Sequence, residues 1–165
     1  MRILVLGIGN TLLGDEGVGV ASLDVLGAAL AGHADRADIE FLDGGTLSFT
    51  LAVPIAECDA LLVIDAAELG REAGAVASFA GDAMDGFVGS HRKRSVHEVS
   101  LIDLMAISQL GGCWPAQRAL IGVQPASVGW ADTLSAPVQA SLQEVSRLAL
   151  ATVEGWIGRE IDSRQ

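Results

Sequence analysis

Positive charge is what this chain has least of: ten Lys+Arg stand against 21 Asp+Glu, a formal net charge of -11 over 165 residues. A nucleic-acid partner is disfavoured, because phosphate binding rests on a basic face, and an anionic membrane surface is disfavoured for the same reason. Cysteine is scarce too, with two residues. Cys58 and Cys113 stand far apart, and neither belongs to a CxxC pair or a Cys/His cluster, so neither a disulfide framework nor a zinc knuckle is expected. Long apolar runs are missing too, since Gly, Asp or Glu interrupts each one before it reaches the length of a membrane span. Residues 1–6 lead directly into Gly7-Ile8-Gly9-Asn10 without the apolar core and cleavage site of a signal peptide. The expectation is a cytoplasmic protein.

Half of the residues are hydrophobic, which supports a sizeable core in a single domain over residues 1–165. Short β-branched runs at 3–6, 39–42, 60–64, 76–79 and 120–123 alternate with Ala/Leu segments at 17–31, 47–57, 96–109 and 137–157. The runs are continuous and lack polar alternation, the pattern of strands buried on both faces. The order predicts an α/β fold, a three-layer αβα sandwich around a mostly parallel, twisted five-stranded sheet. In the last segment Val138, Leu142, Val145, Leu148, Val153 and Trp156 form one apolar stripe, and Ser135 before Pro137 suits its start. Ser95-Val96-His97-Glu98 has capping-box spacing, which makes Ser95 the expected N-cap of the 96–109 helix and puts His97 in its first turn. The stretch 81–94 carries no periodicity and reads as a long mobile loop.

Ligands of open α/β sheets sit at the carboxyl ends of the strands, and those ends are acidic here. Asp15-Glu16 follows the first strand, Asp43-Gly44-Gly45-Thr46 the second and Asp65 the third. The first loop fails both nucleotide motifs. After Gly7 and Gly9 the third glycine of G-x-G-x-x-G is replaced by Leu12, and Asp15-Glu16 stands where a P-loop needs Lys-Ser/Thr. Crowded carboxylates raise each other's pKa values, and a divalent cation relieves that cost. Glu16 and Asp65 supply two oxygens, and His97 could add a nitrogen if its helix turn faces the same edge. Such an O,O,N set suits a borderline first-row metal such as nickel. Plainer roles exist for each: a turn or cap for Asp65, a charge at a helix N-terminus for Glu16, a surface position for His97. His97-Glu98 is not the start of a zincin helix, because Leu101 replaces the second His of H-E-x-x-H. There is no G-x-S-x-G elbow, and a distant Cys/His pairing stays open.

The pattern Gly7-x-Gly9-Asn10-x-Leu12-x-Gly14-Asp15-Glu16-Gly17-x-Gly19 resembles the N-terminal signature of the hydrogenase maturation endopeptidases, and Asp43-Gly44-Gly45-Thr46 resembles their second motif. Asp65, His97-Glu98 and Gly122-Val123-Gln124-Pro125 complete the series in order. The resemblance implies a nickel-dependent endopeptidase that removes a C-terminal extension from a nickel-iron hydrogenase large-subunit precursor after nickel insertion. On that reading Glu16, Asp65 and His97 hold nickel presented by the precursor, with Glu16 and Asp65 also in the catalytic set. Asp43 is a further candidate catalytic or substrate-orienting carboxylate, against its simpler role in a turn. The family's habit implies a monomer. A non-catalytic nickel chaperone and a Rossmann-like nucleotide enzyme are the alternatives. The run Arg92-Lys93-Arg94, which includes the only lysine, is either a solvated loop or a steering patch for an acidic part of the precursor.

Overall fold

The computed structural model describes residues 1–33, 35–90 and 100–163, and among these the chain forms five strands and five α-helices. The strands are β1 (Arg2–Ile8), β2 (Asp38–Gly45), β3 (Ala60–Ala66), β4 (Val76–Ala80) and β5 (Gln117–Val123). The helices are α1 (Val18–Leu30), α2 (Ala52–Glu57), α3 (Asp82–Ser90), α4 (Leu101–Leu110) and α5 (Ala136–Ser163). The sheet order is β2-β1-β3-β5-β4. Four strands run parallel, and the edge strand β4 pairs antiparallel with β5.

Alternation along the central strands builds two cores. Ile3, Val5, Leu62, Ile64 and Ile121 face Leu26 and Leu30 of α1 and Val138, Val145, Val153 and Trp156 of α5. Leu4, Leu6, Leu61, Val63 and Leu120 face Ile55 of α2, Met84 and Val88 of α3, and Leu104 and Met105 of α4. Burying one such side chain contributes about 1.5–3 kcal/mol, which is why β1, β3 and β5 carry unbroken apolar runs. This is the expected three-layer αβα sandwich, and each expected strand lies within an observed one.

The structure corrects the helix expectations in three places. Residues 82–90, expected within an irregular loop, form α3. Gly86, Gly89 and two aspartates hide its helical character, but Met84 and Val88 share a buried face, and Phe87 stacks on Phe79 with ring centroids 4.1 Å apart. Arg118 then fixes the helix by donating to Asp85 (2.7 and 2.9 Å) and Asp82 (3.0 Å).

The second correction concerns α4, which begins at Leu101 with Ser100 as its N-cap. Asp103 Oδ2 accepts from the Ser100 N–H (2.9 Å) and hydroxyl (2.6 Å). The sequence offers two successive Ser-x-x-acid boxes, and the helix that is observed uses the later one. Ser95, His97, Glu98 and the Arg92–Arg94 cluster lie outside the described residues. In the third, the segment expected at 47–57 starts as a 3-10 turn, Phe49–Leu51, because Leu47 takes a left-handed conformation (φ 69°).

Candidate active site

Glycines in the first motif bring two elements together. Gly19 sits at the start of α1, where an added Cβ would fall 2.2 Å from both the Ile8 and Ile64 carbonyl oxygens. The helix start is therefore wedged into the notch between β1 and β3. Gly9 (φ 134°) leaves no room for a Cβ either, which would lie 1.8 Å from the Glu16 carbonyl oxygen. These contacts press the 3-10 turn Asp15–Gly17 onto the end of β3, where Asp65 stands. Glu16 and Asp65 are both half-buried, and one oxygen of each, Glu16 Oε2 and Asp65 Oδ1, is shut off from water. A partly dehydrated carboxylate gives up less water on binding a cation than an exposed one.

Asp43 lies elsewhere. Its register partner on β1 is Gly7, which also pairs with Ile64, so the pleat sets Asp43 on the α1/α5 face and Asp65 on the other. Asp43 is exposed, and its Oδ1 accepts from the Gly45 N–H at 2.8 Å. Gly45 (φ 50°) completes the turn, and its carbonyl accepts from the Gly9 N–H at 2.8 Å. Asp43 thus braces the second motif against the first. Among the described residues no group of three or more His, Cys, Asp or Glu side chains comes together to hold a metal ion. His97, the expected third donor, lies outside them.

Asp15 is a site residue that sequence reasoning missed. It is 2% exposed, and it accepts from the N–H groups of Ala126 (2.8 Å), Ser127 (3.4 Å) and Ser135 (2.7 Å) and from the Ser135 hydroxyl (2.8 Å). Burial pushes its pKa up, but the hydrogen bonds from Ser135, Ala126 and Ser127 outweigh that and hold it below the usual carboxylate range. Two isolated bridges, Leu13 with Ala131 and Gly14 with Val128, extend the junction. Ser135, read as a helix-start signal, spends its polar groups on Asp15. Gln124, also buried, accepts from the N–H groups of Leu69 (2.7 Å) and Arg71 (3.4 Å) and donates to Glu68 Oε2 (3.3 Å).

The cysteines do not complete a nucleophile. Burial pushes the Cys58 thiol up to about 11, and it donates to the Ile55 carbonyl at 3.3 Å. Cys113 donates to the Ser108 carbonyl at 3.4 Å. The Cys58 thiol, held protonated, is a poor nucleophile.

The sequence profile of the hydrogenase maturation proteases matches residues 26–152. The hydrogenase expression/formation protein HupD of Rhodobacter capsulatus is 33% identical over 156 residues, 94% of this chain and 72% of that protein. The hydrogenase 2 maturation protease of Escherichia coli strain K12 is 33% identical over 150 residues, 88% of each chain. Among solved structures, the hydrogenase maturating endopeptidase HybD from E. coli superposes with a TM-score of 0.80 at 28% identity, covering 94% of this chain and 93% of that one.

Proposed function

Because the chain belongs to the hydrogenase maturation protease family, and is therefore a peptidase, we propose that it removes a C-terminal extension from a nickel-iron hydrogenase large-subunit precursor once nickel has been inserted. Membership displaces the nucleotide-enzyme and chaperone alternatives. The observation that carries the finer reading is the pair of half-buried carboxylates, Glu16 and Asp65, held at one strand-end edge by glycine packing.

In this reading nickel belongs to the substrate. Glu16, Asp65 and His97 contact it, and the remaining coordination positions are filled by the precursor. Cleavage is hydrolysis: water adds to the scissile carbonyl carbon, the C–N bond breaks, and the departing amine takes up a proton. Held by these residues, the ion would supply Lewis-acid polarisation of that carbonyl, and one of the two shielded carboxylates takes the proton from water as general base. Asp43 supports the second motif and orients the incoming chain. An unloaded precursor lacks the bridging ion, so it is not cut early. The enzyme acts as a monomer in the cytoplasm and meets its client transiently. No helix among the described residues is long and apolar enough to cross a membrane.

Incubating the protein with nickel-loaded and nickel-free precursor, followed by intact mass, tests the proposal. Loss of the extension in the loaded sample alone is expected. Equal cleavage of both overturns the nickel requirement, and cleavage of neither overturns the substrate.

A further inference from the structure

We propose that a cleft beside the Asp65 strand end is the subsite for the departing tail, holding an extended peptide by one apolar and one acidic side chain. The inference rests on the function proposed above and deepens it. The cleft, with a volume of about 430 Å³, is lined by Glu68, Leu69, Arg71, Ala77, Phe79 and Phe87.

Its position follows from register. Asp65 pairs laterally with Gly122 of β5, and Gly122 pairs with Ala77 of β4. The three lie in one row and, by the pleat, on one face, so Ala77 is two strand spacings, about 10 Å, from Asp65. Gly122 puts no side chain into the row. Ala67 and Leu69 fold over it instead, and a Cβ there would come within 2.8 Å of the Ala67 Cβ and 3.5 Å of Leu69 Cδ2. An extended peptide rises about 3.3 Å per residue, so a chain cut beside Asp65 reaches the cleft about three residues past the scissile bond.

Its chemistry is two-sided. The stacked rings of Phe79 and Phe87 are half-buried, which leaves apolar surface open to a ligand side chain. Arg71 is exposed and belongs to no ion pair among the described residues, whereas Arg2, Arg118 and Arg147 are each engaged with carboxylates. Its backbone is set by Gln124. The cleft's own carboxylate, Glu68, already accepts from the Gly70 N–H (2.9 Å) and from Gln124 Nε2 (3.3 Å), so Arg71 is the charge open to a ligand, and in a chain of net charge -11 it selects an acidic side chain next to an apolar one. Few pockets need more than a few such polar anchors to fix orientation.

The test uses the full-length enzyme and nickel-loaded precursor, with steady-state cleavage followed by mass. Arg71→Glu is expected to raise KM about tenfold with kcat near wild type. With Asp or Lys placed at the third position past the cut, the wild type is expected to show the lower KM for the Asp tail and the Arg71→Glu variant the lower KM for the Lys tail. An unchanged KM for Arg71→Glu, or no recovery with the Lys tail, overturns the assignment while leaving the protease reading intact. Failure of the wild-type enzyme to cleave its loaded precursor overturns the proposed substrate, and this assignment with it.

Discussion

Two aspartates lock the two ends of the sheet by different means. At the far end Asp85 binds Arg118, near the start of β5, with Oδ2 2.7 Å from the guanidinium. At the strand-end edge Asp15 binds only N–H groups and a hydroxyl, from residues 111 to 120 positions away. Both carboxyls are held below the usual range, Asp85 chiefly by the Arg118 hydrogen bond and Asp15 by hydrogen bonds that outweigh its burial. The difference is one of charge. An arginine beside Glu16 and Asp65 would compete with a cation for their oxygens, whereas backbone N–H groups secure the loop without one. The far end carries no such constraint.

Substitutions in the carboxylates at the two ends separate these roles. Asp65→Asn removes charge where the proposed chemistry needs it, and kcat for the loaded precursor is expected to fall at least a thousandfold with the melting temperature nearly unchanged. Asp43→Asn keeps the turn, because its amide oxygen still accepts from Gly45. Processing of the loaded precursor is expected to be lost in that variant with the fold intact, and normal processing would confine Asp43 to the turn.

Next in size is Asp15→Ala, which strands the N–H groups of Ala126, Ser127 and Ser135. It is expected to cost about 3–5 kcal/mol in urea melts at neutral pH, and a loss under 1 kcal/mol would mean that the loop is held by its bridges.

Asp85→Ala is expected to cost only about 1–2 kcal/mol, because that pair is partly exposed to solvent, and to leave kcat unchanged. The smallest effect is the pH dependence. The folded pKa of Asp85 is depressed below its ordinary 3.8, so its contribution is full above that value and is lost as pH falls through the folded pKa. Asp85→Asn is expected to flatten the acid arm of stability measured between about pH 2 and 5, and an unaltered arm would assign acid sensitivity to other carboxylates.

What could be read in advance follows from how local each signal is. The Val/Ile/Leu runs of β1, β3 and β5 reported their own burial, and the acidic residues beyond β1 and at the end of β3 pointed to one edge. Asp43 sits in the same kind of position, yet the pleat turns it to the opposite face, a matter of parity that motif reading does not register. Helix α3 escaped because its evidence is tertiary: Phe79, Asp85 and Arg118 meet only in the folded chain. Asp15 escaped for the same reason, its partners lying on the far side of four strands in sequence. The Ser95 capping box predicts the start of α4 at that point, whereas the helix uses the second box, at Ser100.

One amide, that of Gln124, also sets how the edge responds to an arriving chain. Its side chain joins the end of β5 to the backbone of Leu69 and Arg71, and its own N–H and carbonyl pair with Ala75 and Gly74 at 2.8 and 2.9 Å. The stretch that carries the cleft wall is thereby tied to the sheet by four hydrogen bonds. A tail that settles there meets a surface whose ordering entropy was lost on folding, so discrimination between tails falls to their side chains and not to the loop's readiness to close.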